Sequence, residues 1–269
     1  MLNITIDDFE ILMSLYAGEK PAYFLECINS IEDDKFSPNV RLVIDGIINE
    51  DLEVILAGLN KEKWLIQRLQ CNSGLAKALN AGVAASKKKY IIRLDTDDLW
   101  VKNRCLYYVS ALQTFHGHID VIGGHAELID SSSKIYAIKT VPLEHRDIIK
   151  ALWKCPFIHP SVAIRKEVLI QNPYRSTAGK RQDDYDLWFR LNNNHMRFLN
   201  IDKVLVKYRY TFENWSRNDI SVAVGRIKLL LNYKGFNLLT LSVSIYLLLR
   251  SFLRFKWVYY IDVKLKNLL

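Results

Sequence analysis

Three carboxylates fall within four residues in Arg93-Leu94-Asp95-Thr96-Asp97-Asp98, directly after the apolar run Tyr90-Ile91-Ile92. Like charges packed this closely raise the pKa of at least one group unless a cation compensates. Hard divalent ions such as Mg2+ or Mn2+ take oxygen ligands of this kind, one or two carboxylates together with substrate phosphates. The competing reading is a helix cap, in which Asp97 or Asp98 opens a helix over residues 99–115. A second acidic cluster, Gln182-Asp183-Asp184-Tyr185-Asp186, opens a helical pattern over 183–193. A helix dipole stabilises a carboxylate there by about 0.3–1 kcal/mol, which explains the acids without catalysis. Two such clusters in one chain, one of them after a strand, favour paired acidic chemistry.

Those side chains need a scaffold, and the first half of the chain supplies a regular one. Strand-like runs at 9–16, 40–44, 65–69 and 90–94 alternate with segments at 22–31, 50–59 and 75–85 whose apolar positions recur every three or four residues. Such alternation predicts βαβ units: an α/β, Rossmann-like, mainly parallel sheet flanked by helices. Ligands bind beyond the carboxyl ends of strands in such sheets. The residues found there are Ala17-Gly18-Glu19-Lys20, Asp45-Gly46, Asn72-Ser73-Gly74 and Asp95-Thr96-Asp97-Asp98. Farther on, the pattern predicts a helix at 102–115 and a hairpin of 121–129 with 135–140 around Asp130-Ser131-Ser132-Ser133. It then predicts the helix at 183–193 and two strands, 197–201 and 204–210.

Half of the 269 residues are hydrophobic and a quarter charged, a globular composition. Cys27, Cys71, Cys105 and Cys155 form no CxxC pair and read as reduced thiols of a cytosolic protein. The opening MLNITIDDFEILMSLY carries acids where an export signal needs basic residues, so none is expected. From Gly225 to Leu269 there are eight lysines and arginines against Asp262 alone, so the net charge of +8 belongs almost wholly to this end. A nucleic-acid-binding face would spread its charge over the folded domain, and nucleic acid is therefore not an expected partner. Residues 235–249 lack charge but fall short of the about 20 residues a spanning helix needs. Arg250-Ser251-Phe252-Leu253-Arg254-Phe255-Lys256-Trp257 then mixes cations with aromatics, as suits a helix lying on an anionic membrane. The alternative is a helical pair packed on the catalytic domain or on another subunit, as in a homo-oligomer. The expected division is a catalytic domain at 1–220 and a basic, apolar helical extension at 221–269.

Several ordered motifs together resemble the family 2 glycosyltransferases of the GT-A fold, especially the bacterial branch that builds O-antigen, capsule and exopolysaccharide, with the amylovoran-type enzymes most alike. They are Ser14-Leu15-Tyr16 with Gly18-Glu19-Lys20-Pro21; Val43-Ile44-Asp45-Gly46; Asn72-Ser73-Gly74 through Gly82; Arg93 through Asp98; His159-Pro160-Ser161; and Asp183-Asp184-Tyr185-Asp186-Leu187-Trp188. The likeness implies a nucleotide-sugar donor, with Asp45 reading the base, commonly uracil, and Ser14, Tyr16 and Glu19 lining the same pocket. Asn72, Gly74 and Lys77 would pass along the donor, although a solvated helix face explains Lys77 equally. Arg93, Asp95 and Thr96 would contact the donor. Asp97, helped by Asp95, would hold Mn2+ or Mg2+, with His159 a further metal-site candidate whose alternative is a structural turn. Asp184 aligns with the catalytic base. Two departures stand out: Asp183 replaces a more usual Glu, and Ile47 stands where relatives carry a small residue or Pro.

From these roles follows an inverting transfer to a hydroxyl of a glycan or polyprenyl-linked acceptor, carried out peripherally on the inner face of a bacterial plasma membrane. A phosphohydrolase of the haloacid-dehalogenase type is the first rival, since Leu94-Asp95-Thr96-Asp97 fits its nucleophile motif; that motif normally follows the first strand, and here three strand-like runs precede it. A non-enzymatic, basic membrane-associated protein is the second.

Overall fold

A computed structural model describes residues 4–116, 118–179, 181–211 and 219–252. Its first half is βαβ throughout: β1 (Phe9–Leu15), α1 (Pro21–Glu32), β2 (Val40–Asp45), α2 (Glu50–Ala57), β3 (Trp64–Leu69), α3 (Leu75–Ala85) and β4 (Tyr90–Arg93). β1 and β4 are almost entirely buried, as strands covered on both faces must be. Pro21 fits the first turn of α1, where its missing N–H costs nothing, and Phe24, Cys27, Ile28 and Ile31 form the buried stripe. Asn49 caps α2 by accepting the Leu52 N–H at 3.0 Å.

The second half adds β5 (Leu99–Trp100), α4 (Arg104–Thr114), β6 (Val121–Ile129), β7 (Ile135–Lys139), α5 (His145–Lys150), β8 (Ala163–Arg165), α6 (Lys166–Gln171), α7 (Asp183–Asn193) and β9 (Phe198–Arg209). One sheet runs β3-β2-β1-β4-β8-β6-β9-β5, with β7 alongside β6. Strands β3, β2, β1 and β4 are mutually parallel, β8 is antiparallel to both its neighbours, and β6 and β9 are parallel again. The predicted α/β sheet flanked by helices is present, with a mixed second half.

Two local expectations change. Helix α4 begins at Arg104 after Asn103, and Leu99–Trp100 pairs instead with β9, Leu99 opposite Lys207 and Trp100 opposite Val206. Asp97 and Asp98 therefore do not cap it. The two strands expected at 197–201 and 204–210 are one strand, β9, whose register with β6 shifts at Gly124, His125 and Ala126. The polar Asp202-Lys203 pair that reads as a break in sequence is an irregularity within a continuous ladder.

Beyond the sheet, α8 (Ile220–Lys234) and α9 (Leu238–Phe252) form a helical pair. Ala223, Leu229, Leu230, Val243 and Leu247 share a buried cluster with Trp188 and Phe189 of α7 and with Leu79 and Val83 of α3. Helix α9 buries Thr240, Val243, Leu247 and Ser251 and exposes Leu238, Leu241, Ile245 and Leu249, an apolar face turned to solvent. No helix among the described residues is long and apolar enough to cross a membrane. Arg254, Lys256 and Trp257 of the expected interfacial segment lie outside the described residues.

Candidate active site

Strand β4 ends beneath an acidic loop in which one oxygen from each of Asp95, Asp97 and Asp98 lies within 4.8 Å of the others. Asp98 is fully buried. Its Oδ1 accepts the Arg209 N–H at 2.7 Å, while its buried Oδ2 has no partner among the described residues. Burial and the neighbouring Asp95 and Glu19 push the Asp97 carboxyl from 3.8 up to about 7. Asp98 is raised well above its ordinary value by burial, with Asp97 and Asp95 adding to it. The Arg209 Nε donates to the Asp97 carbonyl at 2.8 Å, and its charge opposes the rise at Asp97. A buried oxygen without a donor, within a group of three carboxylates, is a donor set that fits a hard divalent cation.

The loop is held from several sides. Arg93 is buried, pairs with Asp95 and donates to the Leu94 carbonyl. The Thr96 hydroxyl donates to Glu19, whose carboxyl burial raises, with Asp95 adding to the effect. From α1, the Cys27 thiol donates to the Asp95 carbonyl at 3.6 Å, and Ser30 Oγ accepts the Trp100 N–H at 2.9 Å. From α4, Arg104 donates to the Arg93 carbonyl at 3.0 Å and to the Pro160 carbonyl at 2.8 Å, which fixes the turn holding His159 beside the acidic strand.

Next to this loop, the ends of β1, β2 and β3 gather the remaining predicted donor residues. Ser14 is half-buried near the end of β1, and Tyr16 is exposed with its ring folded over Gly18. Asp45 is buried and grips the loop between β3 and α3 through both oxygens, accepting Ser73 N–H at 2.7 Å and Gly74 N–H at 2.9 Å. A carboxylate offers about four lone-pair positions, so the two uncommitted ones can still accept a ligand donor. Gly46 has φ +87°, and a Cβ there would lie 2.5 Å from the Asn72 backbone nitrogen; the close crossing of the two loops requires glycine. Asn72, Gly74 and Lys77 are exposed at the start of α3.

Asp184 sits in the first turn of α7. Its Oδ1 accepts the Tyr185 N–H at 2.8 Å, and the Cys155 thiol donates to its Oδ2 at 3.6 Å. Burial and Asp184 push neighbouring Asp183 up to about 6. Asp186 points elsewhere, paired with Arg190 at 2.7 Å and accepting from the Tyr233 hydroxyl at 2.9 Å. Buried Tyr174 feels the charge of both acidic clusters. Burial raises its hydroxyl above the ordinary range; Arg93 opposes this, and Asp184, Asp183 and Asp95 all add to it. One hydroxyl thus lies within electrostatic reach of both clusters.

His159 occupies the same wall but not the carboxylate group. Its Nε2 is 2.9 Å from the Tyr174 hydroxyl and its ring packs edge-on against Tyr174 and Trp188. Burial, with Arg93 adding, pushes it well below its ordinary value, so it is neutral. Sequence reasoning placed Asp98 in the acidic run but gave no site role to Arg209, Tyr174, Cys155 or Cys27.

A sequence profile of the family described as Glycosyl transferase family 2 matches residues 11–172. The chain is a family 2 glycosyltransferase. Among relatives, this glycosyltransferase is 30% identical over 260 residues to the amylovoran biosynthesis glycosyltransferase AmsE of Erwinia amylovora, covering 91% of this chain and 93% of the relative. It is 27% identical to the UDP-Gal:alpha-D-GlcNAc-diphosphoundecaprenol beta-1,3-galactosyltransferase of Escherichia coli, covering 82% and 81% of the two chains. Among solved structures, the mannosyltransferase PcManGT of Pyrobaculum calidifontis, in complex with GDP-Man and Mn2+, superposes with a TM-score of 0.61 over 94% of this chain and 76% of that one, at 11% identity. The fold is GT-A, and the glycosyltransferase has homologues in polysaccharide biosynthesis. Its acidic loop follows the fourth strand of the sheet, which removes the phosphohydrolase reading, and family membership removes the non-enzymatic one.

Proposed function

We propose that this enzyme transfers a sugar, with inversion, from a uridine diphosphate donor to a hydroxyl of a glycan or lipid-linked acceptor during bacterial surface polysaccharide synthesis. The observation that carries this reading is the group of Asp95, Asp97 and Asp98, one oxygen of each within 4.8 Å of the others at the end of β4, with the charges of Asp95, Asp183 and Asp184 all acting on the Tyr174 hydroxyl. The UDP-sugar and the lipid diphosphate acceptor in the name of the Escherichia coli relative support the substrate classes.

Asp97, Asp95 and Asp98 would hold Mn2+ or Mg2+, which supplies Lewis-acid stabilisation to a departing diphosphate. This chain's own residues do the rest. Asp45 fixes the loop of Asn72–Gly74 against the donor base, with Ser14 and Tyr16 beside it. Arg93 orients Asp95, and Glu19 holds Thr96. Asp184 accepts the proton of the attacking hydroxyl as its oxygen bonds to the anomeric carbon and the carbon–oxygen bond to the diphosphate breaks. Such general-base assistance contributes roughly 10²–10⁴-fold. His159 is assigned to the wall through Tyr174, not to the metal.

The apolar face of α9 supports peripheral contact with a membrane carrying the acceptor. Leu241→Asp with Ile245→Asp alters exposed positions only, so the fold is kept, and the variant is expected to be lost from the lipid fraction in liposome flotation. Equal flotation of both proteins would remove the membrane contact. For the reaction, nucleotide sugars are screened for Mn2+-dependent release of nucleoside diphosphate. Asp184→Asn is expected to retain donor binding and lose transfer; normal transfer by this variant would overturn the assignment of the base.

A further inference from the structure

The turn that carries His159 is packed between the two acidic clusters. Just beyond it, the Val162 carbonyl accepts the Arg93 N–H at 2.9 Å, which ties the turn to the end of β4 where the acidic loop departs. On its other side, the His159 ring meets Trp188 edge-on, with centroids 6.0 Å apart. Trp188 lies four residues after Asp184, and residues so spaced share one face of a helix. His159 is therefore held between the start of the acidic loop and the face of α7 that bears Asp184. Tyr174, its neighbour, is fixed as firmly. Asn80 of α3 grips the Tyr174 backbone twice, its Nδ2 donating to the carbonyl at 2.8 Å and its Oδ1 accepting the N–H at 2.9 Å. Arg190 of α7 donates to the preceding Pro173 carbonyl at 2.8 Å.

This framework leaves one polar atom unspent. The Tyr174 hydroxyl occupies His159 Nε2 at 2.9 Å, while Nδ1 has no hydrogen-bond partner among the described residues, and the histidine is only half-buried. A neutral imidazole offers one donor and one acceptor, so whichever role Nε2 takes, Nδ1 takes the other. A hydroxyl both donates and accepts and fits either state. The position selects which hydroxyl. In an in-line displacement the anomeric carbon lies between the departing oxygen, beside the acidic loop, and the attacking oxygen, beside Asp184. A side chain between those groups faces the transferred sugar. The base-side residues lie elsewhere: Asp45 and the loop of Asn72–Gly74 follow β2 and β3, whereas the His159 turn leads into β8, across β4 from them.

We propose that His159 binds a hydroxyl of the transferred sugar through Nδ1, and so selects among donors that differ at that hydroxyl. Tyr174 is a positioning residue, acting through the histidine by setting its ring. This rests on the reading of the donor as a UDP-sugar and of Asp184 as the base. A site built to hydrogen-bond a hydroxyl discriminates against a sugar that lacks it there, because the polar atom is then left unpaired.

Calorimetric titration of the full chain in Mn2+ compares UDP with UDP-glucose, UDP-galactose and UDP-N-acetylglucosamine. Wild type is expected to prefer one of the three sugars by about fivefold or more, the effect of one neutral hydrogen bond. His159→Phe keeps a ring against Trp188 and removes both nitrogens; it is expected to lose that preference and to bind UDP as wild type does. Tyr174→Phe, which removes only the hydroxyl, is expected to lose part of it. The double variant is expected to be no worse than His159→Phe, because Tyr174 acts through the histidine. A preference that survives in both single variants, or that wild type lacks, would overturn the proposal. So would a loss of UDP affinity as large as that for the sugar nucleotide, which would make the pair a support of the acidic loop. Absence of UDP binding by wild type would instead defeat the donor reading, and this proposal with it. The preference is read without turnover, so normal transfer by Asp184→Asn would remove the base assignment separately.

Discussion

Replacing Asp97 by Asn isolates the cost of gathering three carboxylates without a cation. The fold moves this acid from 3.8 to about 7, through burial first and then the charges of Asp95 and Glu19. That displacement corresponds to on the order of 4 kcal/mol against the ionised form at pH 8. Asn removes the charge and keeps the side-chain length, at the expense of some hydrogen bonding, so a net gain of about 1–3 kcal/mol is expected for the metal-free protein. For a chain of this size that raises Tm by roughly 2–4 °C per kcal/mol. The sign fixes the pH window. An acid raised in the folded state is penalised once it ionises, so the variant's advantage is full above pH 7. It shrinks as pH falls from about 7 towards 4, where folded and unfolded forms are both protonated. Mn2+ reverses the order: a ligand at 100 times its Kd stabilises wild type by about 2.7 kcal/mol, and the variant, lacking the central carboxylate, gains little. The assay is thermal unfolding of both proteins at pH 8 and pH 5, in EDTA and in Mn2+ with UDP. A variant less stable than wild type in EDTA at pH 8, or one with the full Mn2+ shift, would refute the reasoning.

Two other substitutions probe the surroundings. His159→Gln should lower stability by about 1 kcal/mol through loss of the Tyr174 contact while leaving the Mn2+ shift intact; a Mn2+ shift abolished as in Asp97→Asn would restore this histidine as a ligand. Gly46→Ala forces a Cβ into the Asn72 backbone at positive φ and should cost on the order of 2 kcal/mol or more, with weaker UDP binding as the loop of Asn72–Gly74 is displaced; unaltered unfolding would show that the loops do not cross as described.

The parallel half of the sheet was legible because each element is long enough for its period to show: the helix predicted at 75–85 is α3, and the strand predicted at 90–94 is β4 shortened by one residue. Strand β5 was not, because Leu99 and Trp100 form a strand only through pairing with Lys207 and Val206. The short helices α5 and α6 offer too few turns for a stripe, and β8 has three residues. At the site, the acidic motifs announced themselves by type and spacing. Arg209 did not, since an arginine at a strand end carries no local signature and its significance lies in partners far along the chain. Tyr174 and Cys155 were hidden for the same reason, each defined by what packs beside it.

Arg209 also bears on how the molecule comes into being. Its backbone N–H reaches Asp98 across 111 residues, and its side chain touches Glu26, Asp97, Asp130 and Ser133. At a synthesis rate of about 5–20 residues per second, the acidic loop waits several seconds for this neighbour. The four parallel strands can assemble meanwhile from contacts close in sequence, whereas the pocket is sealed only by a distant closure, the slow kind of step in folding. A nascent chain interrupted before β9 would hold the sheet's early half and every aspartate of the loop, yet lack the clasp that joins them.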